Sequence, residues 1–330
     1  MKVVYFLEDT GYNNNVCNCV RGEEDVLLPP GVRTPILRKL FELHNAWSLN
    51  QRWELPFKSV WFPFCIDESN LSPEDEIVFI FFESYHMTYS GKFLRYLKRK
   101  YPKSIMIYAF TNPADNYNLT KLGKVRGNFD VISTFSREDA EKHGFLFSDH
   151  NMCYKEEIPE SDLPESDVFF VGVDKGRLDT LLAIYETLTA GGLRCDFHIV
   201  SVPEEKQKYA DVIHYNQPLP YDQTLLHLSK AKCMLEVLQG DCAYNSRRIA
   251  EAYVYHKKVL TTNRRMAEEW YYSPEIVQIV TNPREIDIDF FKKEVDDMIY
   301  DQCDFYSFKS ERKHLESVYR QVTTSKLKER

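Results

Sequence analysis

Short apolar runs recur along the first half of the chain, at Val3–Leu7, Val60–Phe64, Ile77–Phe82, Ile105–Phe110 and Val131–Phe135. Each is bounded by polar or turn-forming residues, as buried strands are. Between them, Thr34–Trp47, Gly91–Tyr101 and Ser136–His143 place apolar residues at helical spacing. Strands that are apolar throughout and alternate with helices predict a parallel sheet covered on both faces. The first half therefore reads as one doubly wound α/β domain.

The pattern breaks at EEIPESDLPESD, residues 156–167, where carboxylates and prolines leave little to bury. It then restarts with strand Val168–Val171, helix Arg177–Thr189 ended by Gly191 and Gly192, and strand Cys195–Val200. Further units follow through Val212 and Ile213, a helix at Tyr221–Lys230, strand Cys233–Val237, a helix from Ser246 and strand Lys258–Thr262. The expected organisation is an N-terminal Rossmann-like domain over 1–155, a linker over 156–167 and a second Rossmann-like domain over 168–288. A helical segment over 289–330 is expected to pack back on the first domain.

Two domains suit a chain of 330 residues, and 43% hydrophobic residues exclude a disordered protein. A net charge of −8 argues against a general nucleic-acid binder. The longest clean apolar run, Ile77–Phe82, is far short of the roughly 20 residues that cross a bilayer. No signal peptide is evident, and the eight cysteines form no dense framework, so reduced thiols in a cytoplasmic protein are expected. Neither CxxC nor HxxxH spacing occurs, and Asp287-Ile288-Asp289 falls beyond the second strand–helix array, so no metal or cofactor is expected.

The candidate chemistry lies at two strand–helix junctions. In VGVDKGRL, Gly172 gives room for close approach, Lys175 and Arg177 supply charge, and Gly176 frees the turn. Ser246 is a candidate N-cap whose helix offers free amides to an anion, with Arg247 and Arg248 in its first turn. Glu251 stands just over one turn further in, where a carboxylate accepts ribose hydroxyls in dinucleotide folds. Together these residues predict a split diphosphate site. Solvated side chains at ordinary βα turns would give the same letters. In the first domain, His86 and Asp9 follow predicted strands and are the candidate general bases. The stretch KFLRYLKRKYPK has an apolar helical face and the basic cluster Lys98, Arg99 and Lys100, which fits either an anionic membrane surface or a helix packed on its sheet.

DVFFVGVDKGRLDTLLAIYETL and RRIAEAYVYHKKVLTTN, with FDVISTFSREDAEKHGF at 129–145, resemble the GT-B glycosyltransferases of bacterial capsule and lipopolysaccharide biosynthesis, a retaining family 4-like group. The resemblance spans roughly residues 75–285. It implies two Rossmann-like domains facing a central cleft, with the acceptor on the first and a nucleotide-diphosphate sugar on the second. The donor diphosphate would fall to Lys175 and Arg177, and the ribose to Glu251. In relatives a second Glu precedes that position by eight residues; here Ala243 stands there, with Asp241 nearby as a substitute. The implied activity is metal-independent sugar transfer to a glycan or lipid-linked acceptor, at the inner face of the membrane. A non-catalytic nucleotide-binding scaffold and a nucleotide-sugar epimerase of the same architecture stay open.

Overall fold

The computed structural model describes residues 1–8, 11, 13–148, 152–239 and 244–328. It separates into two compact units, one of Met1–His150 with Glu311–Arg330 and one of Asn151–Ser310.

The first unit is built on strands β1 (Lys2–Phe6), β2 (Val26–Leu27), β3 (Ile77–Phe82), β4 (Ile105–Ala109), β5 (Val131–Thr134) and β6 (Leu146–Phe147). All are parallel, in the order β2-β1-β3-β4-β5-β6. The six residues of β3, IVFIFF, are all buried, because helices cover both faces and leave no polar side to the strand. Phe6 and Phe81 stack 4.2 Å apart, and Phe93 closes on Phe6 edge to face. The helix Phe308–Lys328 is tied to this unit by Arg312 to Asp25 at 2.8 Å and by the Tyr319 hydroxyl, which donates to the Lys103 carbonyl at 2.7 Å.

Val60–Phe64 is not a strand. Lys58–Trp61 forms a 3₁₀ turn that runs into the helix Phe62–Cys65. Pro63 sits in the first turn of that helix, where its missing N–H costs nothing, whereas in a ladder it would leave an acceptor unmatched.

The second unit carries β7 (Ser166–Val173), β8 (Cys195–Val200), β9 (His214–Tyr215), β10 (Ala231–Glu236), β11 (Lys258–Thr261) and β12 (Val277–Ile279). These too are parallel, ordered β12-β11-β10-β7-β8-β9. β7 begins inside the acidic stretch, because Asp167 has partners there: it accepts the Arg194 N–H and the Lys232 ammonium, each at 2.8 Å. Val212 and Ile213 belong to the turn before β9 and not to a strand.

Each sheet reverses its winding once, between β1 and β3 in the first unit and between β7 and β10 in the second. Successive connections leave in opposite directions at such a point, opening a crevice beyond the carboxyl ends of the two strands.

Candidate functional site

At the β7/β10 reversal, β7 ends in Val173 and the chain turns through Asp174, Lys175 and Gly176 into the helix Leu178–Ala190. Lys175 at φ +48° and Gly176 at φ +78° are consecutive left-handed residues. Glycine takes such a conformation without cost, while the lysine holds it against a steric penalty. The Lys175 side chain is exposed. Arg177 instead folds back across the crevice: its guanidinium donates to the Val173 carbonyl at 2.9 Å and to the Val237 carbonyl just past β10. One side chain thus ties the ends of both strands at the reversal.

Glu236, the last residue of β10, faces the same crevice and is fully enclosed. It accepts the Ser246 N–H at 2.8 Å and the Thr261 hydroxyl at 2.6 Å. Burial raises its pKa, and the hydrogen bonds from Ser246 and Thr261 and the charge of Arg177 pull the other way without prevailing. Burial likewise lowers the pKa of Arg177, against the opposing field of Tyr244, Glu236 and Asp174 and with that of Arg248. Arg177, Glu236 and Arg248 therefore form one electrostatic cluster.

Two of the residues expected at the site have contacts within the chain. The space above Gly172 is filled by the chain itself, since a Cβ there would stand 2.8 Å from the Arg177 guanidinium. Gly172 leaves room for that arginine. Glu251, in helix Arg247–Val254, is completely buried, with one oxygen 2.5 Å from Arg248 and the other 3.6 Å from Arg247. Its carboxylate is turned to its own helix's arginines. Ser246 precedes the helix in extended geometry but makes no side-chain cap, its backbone N–H being spent on Glu236. Asp241 and Ala243 lie outside the described residues.

At the β1/β3 reversal the structure joins Glu8, just past β1, to His86, which opens the turn after β3: His86 Nδ1 contacts Glu8 Oε1. Both side chains keep about a third of their surface, so the pair reaches solvent. Glu83 closes the floor, buried and accepting the N–H groups of Thr111 and Asn112 at 3.2 and 3.3 Å. Burial raises its pKa despite those bonds. Asp9, the other candidate base, lies outside the described residues. Glu8 closes the apolar run YFLE at the carboxyl end of β1, and Glu236, which no motif in the sequence singles out, closes CMLE at the end of β10.

No protein-family model matches the sequence, and no curated protein matches it. Among solved structures, AviGT4, a glycosyltransferase involved in avilamycin A biosynthesis, aligns with a TM-score of 0.57 at 13% identity over 98% of each chain. A putative UDP-N-acetylglucosamine 2-epimerase from Listeria monocytogenes aligns with a TM-score of 0.50 at 11% identity over 97% of each chain. The fold is GT-B. One of these proteins is a glycosyltransferase and the other a putative epimerase, so the fold alone does not choose the reaction.

The basic helix of this GT-B chain is committed to its own sheet. Phe93, Leu94 and Leu97 of Gly91–Lys100 are fully buried, as is Tyr101 beyond it, so the helix has no apolar face to give to lipid. Lys98 lies 3.4 Å from Asp130, and Lys100 pairs with Glu68. Among the described residues no helix is long and apolar enough to cross a membrane. Possible metal ligands gather at Asp196, His198 and His214, whose ligand atoms lie within 4.8 Å of one another. That group is spread over β8 and β9, which is why no spacing motif reveals it. Asp196 is already engaged there, by His198 at 2.9 Å and His227 at 2.6 Å.

Proposed function

We propose that this chain is a glycosyltransferase that binds a nucleotide-diphosphate sugar at the β7/β10 reversal and passes the sugar to a glycan or lipid-linked acceptor in cell-surface polysaccharide biosynthesis. The observation that carries the reading is Arg177, a half-buried arginine laid across the strand ends where an α/β sheet takes its ligand. A guanidinium in a partly desolvated crevice binds a diphosphate more strongly than one in water, and it stabilises the charge that grows on the leaving diphosphate as the glycosidic bond breaks. Lys175, exposed at the rim of the same loop, adds a second cation. In this reading Glu251 fixes the arginines that face the donor, a positioning role.

The acceptor side is assigned to the β1/β3 reversal. His86, steered by Glu8, is the group to take the proton of an acceptor hydroxyl if the anomeric centre inverts. The resemblance favours retention, in which case His86 orients the hydroxyl and leaves its proton to the departing phosphate oxygen. No protein-bound metal enters the reading, since arginine and lysine supply the charge that a cation would bring.

A non-catalytic scaffold is favoured by one feature, the neutralisation of Arg248 by buried Glu251, which weakens its call on a phosphate. Incubation with a panel of sugar nucleotides separates the readings. Slow release of nucleoside diphosphate with loss of intact donor supports the transferase. Binding without release supports the scaffold, and interconversion of donor epimers without release supports an epimerase.

A further inference from the structure

Strand β8 lies inside a parallel sheet, where both faces of a strand are ordinarily apolar, as those of β3 are. Phe197 and Ile199 follow that rule and enter the core of the second unit. Asp196 and His198 break it, and the alternation of the strand puts the two on the opposite face together. The neighbouring strand β9 adds His214, directly beside His198 in the ladder.

These groups hold one another and leave chemistry over. His198 is 5% exposed; its Nε2 meets Asp196 Oδ1 at 2.9 Å, and its Nδ1 has no hydrogen-bond partner. A buried ring nitrogen in that state is an unsatisfied polar atom, which a folded protein rarely keeps without a use for it. Asp196 is steadied from its other oxygen by His227 Nδ1 at 2.6 Å, reaching over from helix Tyr221–Lys230. The His227 ring is in turn stacked on buried Phe169. His214, exposed at the sheet edge, stacks its ring on that of His198 with centroids 4.4 Å apart.

Two imidazoles and a carboxylate, with ligand atoms within 4.8 Å of one another, make the donor set of a divalent transition metal. Bonds of about 2.0–2.2 Å set ligand atoms roughly 3.3 Å apart on a tetrahedral ion, so side-chain shifts of about 1 Å close the group. Magnesium, which takes oxygen ligands, is poorly served by two imidazoles. We infer that Asp196, His198 and His214 form a site for a divalent transition-metal ion of the zinc type, with His227 orienting the carboxylate from behind. Such an ion fastens β9, a strand of two residues, to β8. The expectation of no metal rested on spacing motifs, and a site assembled across two strands leaves none in the sequence.

The site is separate from the ligand crevice. Asp196 stands beside Phe169 and His198 beside Val171, both short of Val173, where β7 ends. Strand β8 also flanks β7 on the side away from β10. The inference therefore does not rest on the transferase reading.

Untagged full-length protein, stripped with a chelator and titrated with zinc chloride by calorimetry and thermal shift, tests it. The expected result is one zinc per chain, a melting temperature raised by roughly 3–8 °C at a hundredfold excess over Kd, and no rise with magnesium. His214→Ala removes a ligand whose side chain is exposed. It should weaken zinc binding at least about tenfold and leave the melting temperature of the metal-free protein nearly unchanged. Asp196→Asn, which keeps the shape of the side chain and loses its charge, should weaken zinc binding by a similar factor. Three results would each overturn the inference. Wild-type protein that takes up no zinc would leave Asp196 and its histidines a hydrogen-bonded network alone. An equal rise with magnesium would point to oxygen ligands at another place. Unchanged zinc affinity in either variant would likewise put the ion elsewhere on the chain.

Discussion

Arg177 and Lys175 sit in one loop but in different surroundings, and their substitution should separate binding from folding. Arg177→Met removes bonds to two carbonyls at the strand ends as well as the ligand contact, so it should lower the stability of the free protein by about 1 kcal/mol. It should also weaken nucleoside-diphosphate binding at least tenfold, the scale of a charge-assisted bond of about 1.5–3 kcal/mol. Lys175→Ala should weaken binding less and leave the melting temperature unchanged, because its side chain is exposed. Titration calorimetry and urea denaturation on both variants check this. Glu251→Gln is the second residue-scale case. It removes the buried carboxylate charge that Arg248 pairs with, which should cost about 3 kcal/mol in urea unfolding. Affinity losses should be the same for ribo- and 2′-deoxynucleotides; a selective loss for the ribonucleotide would restore Glu251 to the ribose. The sequence showed which charges stand at the junctions, since Lys175, Arg177, Arg248 and Glu251 are all read from spacing. It did not show how they pair. Whether Glu251 meets a ribose or its own helix's arginines depends on side-chain direction, and Glu236 is invisible until the fold brings β10 beside β7.

At the scale of elements, legibility followed length. β3, β4 and the helices at 91–100 and 178–190 are long enough to show their period, and the structure places them within a residue of the reading. Strands β2, β6 and β9 have two residues each, too few to carry a period, and were not found as such. Val60–Phe64 misled because an apolar run looks alike in a strand and in a short helix, and only Pro63 argued for the helix. The β8–β9 edge carries its own prediction. Burial raises the pKa of Asp196, but hydrogen bonds from His198 and His227 outweigh it and hold the carboxyl below its ordinary value of 3.8. A depressed carboxyl stabilises the fold above its unfolded pKa, and that stability is lost as pH falls through the folded value. Asp196→Asn should therefore lower stability at pH 7 and change it little at the bottom of the acid limb. Unfolding free energies measured from pH 7 down to about 2.5 test the sign; equal destabilisation across that range would show that Asp196 acts by packing alone.

For the whole molecule, two parallel sheets with one winding reversal each give two crevices of different character. One holds an arginine cluster around buried Glu236, and the other an acid–histidine pair above buried Glu83. The proposed ligand of the arginine crevice is a nucleoside diphosphate. The most direct test is a thermal-shift titration of the wild-type chain and Arg177→Met with UDP, GDP, dTDP and CMP. At a hundredfold excess over Kd, a ligand that binds only the folded state adds about 2.7 kcal/mol, a rise of roughly 3–8 °C. Such a rise is expected with at least one of the three diphosphates, with none from the monophosphate, and it should be lost in Arg177→Met. No rise with any diphosphate, or an equal rise in the variant, would contradict it.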